Sequence, residues 1–255
     1  MIQWGARLIK MRKSKRESLQ EQMITIAILI IIAIAGYVYQ NMVQPSQPKQ
    51  VAQVQNSSAV TVENLPAYDG QISIPLQGNQ PNFTDEDKQL GVFETYSPLD
   101  SLGRCGVAYA NICQEIMPKT GEKRGDISSI RPSGWKQAKY DGEFLYNRCH
   151  LIGYQLAAEN ANEKNLITGT RNFNVEGMLP YENQVAEYIQ KNPSHHVLYR
   201  VTPIFEGDDL VAKGVEMEAY SQEDQGEEVC FHVFVYNVQP GITIDYHTGK
   251  SEVQR

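Results

Sequence analysis

Four stretches of this chain alternate apolar and polar residues with a period of two, and that pattern constrains the fold more than any other feature. They run from Gly106 to Ile112, His196 to Thr202, Val215 to Tyr220 and Val229 to Val238. In the last of them Val229, Phe231, Val233 and Val235 share one face. A segment with one apolar face and one polar face suits a strand of an antiparallel sheet packed on one side. Between the strand groups Tyr181, Val185, Tyr188 and Ile189 recur at helical spacing, and Asn192-Pro193 ends that helix. The expected class is α+β, a mostly antiparallel sheet with inserted helices. A hydrophobic fraction of 41% over 255 residues is enough for a packed core, and the absence of an internal repeat favours one main domain.

The N-terminus obeys different rules. Arg7, Lys10, Arg12, Lys13, Lys15 and Arg16 precede an uncharged run, Met23 to Tyr39, rich in Ile and Ala. Basic residues before an apolar stretch of this length hold the N-terminus in the cytoplasm and send the rest outward. The expected organisation is a basic cytoplasmic segment (1–22), a transmembrane signal-anchor (23–39), a flexible linker (40–65) and an extracellular domain (66–255). Cleavage near Ala33-Ile34-Ala35, releasing a secreted protein, is the alternative. The linker is rich in Gln, Val, Ser, Pro and Asn. It has too little large apolar surface to fold alone.

The net charge of −7 is unevenly spread. Residues 1–22 carry six basic side chains against Glu17 and Glu21, so the remainder is more acidic than the whole. That excludes a protein that coats nucleic acid with general positive charge. Any such contact needs a local patch, and Lys119, Lys123, Arg124, Arg131, Lys136 and Lys139 supply one. Four cysteines, Cys105, Cys113, Cys149 and Cys230, allow disulfides in an exported protein without choosing a connectivity. The lack of a CxxC pair argues against a zinc knuckle.

The richest chemistry lies in Tyr146-Asn147-Arg148-Cys149-His150 and the following Asn165 to Asn174. Breaking a phosphodiester requires an activated water and relief of the charge that builds on the transition state. A histidine near neutrality can take the water's proton. An arginine grips phosphate through a planar fork. Magnesium prefers oxygen ligands and retains waters, so one amide oxygen and a supporting carboxylate can suffice.

Asn147-Arg148-Cys149-His150, with Asn165 and Asn174 nine residues apart and Glu182 beyond them, resembles the DNA/RNA non-specific endonucleases. These have a His-Me finger, or ββα-metal, fold, and the chain is most similar to exported DNA-entry nucleases of Gram-positive bacteria. The family motif is Asp-Arg-Gly-His, so Asn147 and Cys149 depart from it, and Ala186 stands where some members carry arginine. The resemblance implies that His150 is the general base and Asn174 the direct magnesium ligand. It implies that Glu182 orients metal-bound water and that Arg148 contacts phosphate or braces the site. Asn165 would position the histidine or the scissile group. Arg131 is a candidate substrate contact from the basic run. One magnesium ion per site is implied, with manganese as a substitute.

The expected function is a membrane-anchored, magnesium-dependent endonuclease acting on DNA, and on RNA as well, with no protein partner deducible. The alternatives are a catalytically weakened surface nucleic-acid-binding protein of the same fold, or a secreted nuclease toxin. His195, His196 and His247 read as loop or turn residues. His232 should find solvent or a polar partner.

Overall fold

The computed structural model describes residues 60–254. The basic segment, the apolar run and most of the linker expected above lie outside them. No helix among the described residues is long and apolar enough to cross a membrane.

The alternating stretches form the middle of one antiparallel sheet. Its strands are β1 (Ser73–Pro75), β2 (Glu94–Tyr96), β3 (Ala108–Ile112), β8 (Val197–Ile204), β9 (Gly214–Ser221) and β10 (Cys230–Tyr236), in the order β1-β10-β9-β8-β3-β2. Every neighbouring pair is antiparallel. Between β3 and β8 the chain leaves the sheet. It makes a small hairpin of β4 (Lys139–Tyr140) and β5 (Glu143–Phe144), then a second hairpin of β6 (Tyr146–His150) and β7 (Leu166–Thr170). A helix follows directly, a π-helical stretch Phe173–Met178 running into α1 (Leu179–Lys191). A last hairpin, β11 (Ile242–Asp245) with β12 (Lys250–Val253), closes the chain.

The β6–β7 hairpin and its helix lie on one face of the large sheet. Cys149, Ile152, Ile167, Phe173, Val185 and Ile189 share a core with Val201, Met217, Ala219, Phe231, Val233 and Val235. This is the face that the period-two pattern marks as apolar. Asn237, fully buried, joins the two layers: its Oδ1 accepts from the Thr170 amide at 2.9 Å, and its Nδ2 donates to the Thr168 and Ala212 carbonyls at 3.0 Å each. Three satisfied bonds from one buried amide fix β7 to the sheet more specifically than apolar contact can.

The sheet's other face is covered by the N-terminal segment and is not uniformly apolar. Phe83, Tyr109 and Leu198 make one small cluster, and Ile204, Phe234 and Tyr236 another. Between them cross-strand neighbours form a buried charge network. Arg200 donates to Glu218 at 2.7 Å, and His232 pairs with Glu216 at 2.6 Å. Burial would lower the His232 pKa, but Glu216 and Glu218 outweigh it and hold the imidazole above its ordinary value. His232 thus has the polar partner expected of it.

Val60, Val62 and Leu65 pack against the second of these clusters, so the folded unit reaches back into the stretch assigned to the linker. A polar stretch hides this. A few aliphatic residues suffice when a sheet already offers them an apolar surface. The four cysteines are free thiols.

Candidate active site

His150 is the last residue of β6, opposite Leu166 at the start of β7, and only 4% of it is exposed. Both ring nitrogens are engaged. Nε2 lies 2.8 Å from the Asn160 carbonyl oxygen, and Nδ1 lies 2.8 Å from Nη2 of Arg124. A carbonyl can only accept and a guanidinium can only donate, which fixes the tautomer. Nε2 carries the proton, and Nδ1 presents its lone pair to the space held by Arg124. Burial, reinforced by the Arg124 charge and opposed by the Asn160 carbonyl, pushes the His150 pKa down to about 4. The imidazole is therefore neutral at neutral pH, with Nδ1 unprotonated.

Arg124 belongs to the basic run, yet no spacing or motif singles it out. It packs near the Tyr154 ring, 6.0 Å from the centroid, and its charge also acts on Glu182. Glu182 lies in the first turn of α1 and is buried. Gly153, three residues beyond His150, makes room for it: a Cβ there would come within 2.7 Å of the carboxylate. Burial pushes the Glu182 pKa up to about 7, and Arg124 opposes the shift. No hydrogen bond helps to hold the charge, so the carboxylate is desolvated without a donor.

Asn174 occupies the π-helical turn next to Phe173, which packs over β7. Eight residues of ideal α-helix leave two side chains about 80° out of line. The π turn, closed by the Leu179 amide on the Asn174 carbonyl, reaches one residue further and winds less per residue. It brings Asn174 and Glu182 closer to a common face than α-helical spacing alone would do.

The other expected residues take narrower parts. Asn165 is fully buried, its Oδ1 accepting from the Ile152 amide at 2.8 Å and its Nδ2 donating to the Ile152 carbonyl at 3.0 Å. Both ends of the amide are turned to the Ile152 backbone, away from solvent. It locks the turn that leaves His150. Arg148 donates from Nε to the Ile130 carbonyl at 2.6 Å and from Nη2 to Ser128 at 2.7 Å, with its guanidinium 4.2 Å from the Trp135 ring. Of the two roles open to it, this geometry supports the brace. Arg131 is exposed and spans the Ser128 and Ile130 carbonyls of the same loop.

The departure at Cys149 has a structural counterpart. The thiol points into the core against Gly169 of β7, where an added Cβ would come within 2.5 Å of the sulfur. The side chain gained at 149 is accommodated by the one absent at 169. Burial raises this thiol's pKa, so it stays a neutral core group on the far side of β6 from the base.

The donor set suits a hard cation. Glu182 offers a buried carboxylate without donors, and Asn174 an amide oxygen in the helical stretch that leads to it. One other cluster among the described residues could present three ligand atoms, Glu216, Glu218 and His232. It lies on the opposite face of the sheet, where Arg200 already pairs with Glu218 and His232 hydrogen-bonds Glu216.

The β6–β7 hairpin with its crossing helix defines a ββα site of the metal-dependent nuclease type. Residues 81–223 match the family model described as DNA/RNA non-specific endonuclease, and the chain belongs to that family. It is 34% identical over 196 residues to a deoxyribonuclease of Streptococcus dysgalactiae subsp. equisimilis, a match spanning 60% of this chain and 59% of that protein. Among solved structures it resembles NucA from Streptococcus agalactiae with a magnesium ion bound. The TM-score is 0.62 at 27% identity, covering 71% of this chain and 86% of the other. It also resembles the Sda1 nuclease with a bound zinc ion, with a TM-score of 0.61 at 25% identity, covering 72% of this chain and 97% of that one.

Proposed function

We propose that this protein is a magnesium-dependent endonuclease that hydrolyses DNA, and RNA as well, with little sequence preference. The observation that carries the proposal is the His150 geometry. The ring is held by the Asn160 carbonyl in the tautomer that turns a free base nitrogen towards an arginine. The family and the named activity of its streptococcal relative support the substrate class.

In this reading a phosphate draws Arg124 from the imidazole, and Nδ1 then takes the proton of the attacking water. Arg124 pairs with the phosphate oxygens as charge grows on them. Asn174 and Glu182 would hold a divalent cation, Asn174 directly and Glu182 through its waters. That cation supplies charge neutralisation at the transition state and the leaving oxygen. Magnesium fits these oxygen donors better than zinc, which favours nitrogen and sulfur. Contacts to phosphate rather than to base edges account for the lack of sequence preference. The basic segment and apolar run at the N-terminus support an anchored protein working outside the cell, with a secreted form as the alternative.

Incubating the protein with supercoiled plasmid tests the proposal. With magnesium, nicked, linear and then small fragments should appear in turn, and EDTA should stop them. Retention of plasmid without any cleavage would instead support a nucleic-acid-binding protein of the same fold.

A further inference from the structure

The basic residues of the run are exposed, yet the segment that carries them is tied to β6. It lies antiparallel along the edge of β6 that β7 leaves unpaired. Arg124 meets His150, the Ser128 and Ile130 carbonyls meet Arg148, the Gln137 side chain brackets Tyr146, and Lys139 pairs with Phe144. Gln137 donates to the Tyr146 carbonyl at 2.6 Å and accepts from its amide at 3.0 Å, so this alignment is held on the backbone. Arg131, Lys136 and Lys139 are exposed along it. A mostly positive track, interrupted by Asp126, therefore leads from the base to the β4–β5 hairpin, over a strand length of about 20 Å at the usual rise per residue.

The hairpin at its end is two-faced. Tyr140 hydrogen-bonds Ser251 of β12 at 2.8 Å, which docks the Tyr140/Glu143 face. The opposite face carries Lys139 and Phe144, and Phe144 is 54% exposed. The Lys139 ammonium sits 4.2 Å from the centroid of the Phe144 ring, which leaves much of the ring to solvent. An exposed aromatic ring beside a lysine, continuous with a basic track, has the composition of a base-stacking platform. The acidic residues of the hairpin are Asp141 in its turn and Glu143 on the docked face.

We infer that Phe144 is a stacking site for an unpaired base, gripped while the same strand runs along the basic track to His150. This deepens the proposed nuclease reading and rests on it for the direction of the track. The site takes single-stranded DNA or RNA, or a duplex locally opened, because a paired base inside a duplex cannot offer its face to the ring. It gives the protein a preference for unpaired substrate.

The test measures binding without cleavage, so a failure of catalysis and a failure of this site are separable. The full chain carrying His150→Ala, in EDTA, is titrated with a fluorescent oligodeoxythymidylate of about ten nucleotides and with a duplex of equal length. Adding Phe144→Ala should weaken single-strand binding about tenfold, the effect of losing one base–aromatic stack, and leave duplex binding within about twofold. Phe144→Trp should retain affinity, with its indole fluorescence quenched by the oligonucleotide. Unchanged single-strand affinity in Phe144→Ala, equal loss on both substrates, or an unquenched tryptophan would each overturn the inference.

Discussion

Replacing His150 with alanine is expected to lower phosphodiester cleavage by about 10²- to 10⁴-fold, the usual contribution of a positioned general base. Packing is not the reason. The ring's polar contacts are to Asn160 and Arg124, and the apolar core lies beneath Cys149 on the other face of β6. The melting temperature should move little while the rate collapses. The pH dependence adds a second check. The His150 pKa is lowered from 6.5 to about 4, so the basic form persists as pH falls below the ordinary histidine range. The acid limb of kcat/KM, which reports the free protein, should therefore be set not by His150 but by Glu182, whose carboxyl is pushed up to about 7. Initial rates on a fluorescent oligonucleotide across pH measure both quantities. A variant within about threefold of the parent would remove His150 from the mechanism, since general-base loss costs far more.

Replacing Arg124 with alanine is the second large expected effect, a loss of about 10²- to 10³-fold, comparable to removing a preorganised donor from a developing anion. The electrostatics give this variant a signature. Arg124 lowers the pKa of His150 and of Glu182. Without it both rise, so a smaller share of each is in its working form at a given pH. The acid limb should then move to higher pH as well as the rate falling. Arg124→Lys keeps the charge but not the planar fork, and should recover the limb's position better than the rate. A variant with the parent's pH profile and rate would show that Arg124 only fills the empty site.

The strands were legible because each presents one face to a core, and period-two alternation records that directly. Val229, Phe231, Val233 and Val235 point where the pattern says. The helix through Val185, Tyr188 and Ile189 ends at Lys191, before Asn192-Pro193. His150, Asn174 and Glu182 were singled out by the motif they match. Arg124 was not, because it reaches His150 from a separate loop and loops leave no periodic signal. Asn165 could be read as an amide near the site, but its consumption by the Ile152 backbone is a matter of three dimensions. Nor does local sequence show that Gly169 makes room for Cys149, since the two meet only across the hairpin. The buried Arg200–Glu218 pair was hidden for a like reason, as a charge in a strand ordinarily marks the solvent face.

We propose that Asn174 and Glu182 hold a magnesium ion near a neutral His150. This arrangement is tested most directly by titrating cleavage with magnesium in the parent and in Asn174→Ala. The variant should need at least about tenfold more magnesium to reach half its maximal rate, as loss of a direct ligand or its support does in metal sites. An Asn174→Ala protein with the parent's magnesium dependence and the parent's rate would contradict it.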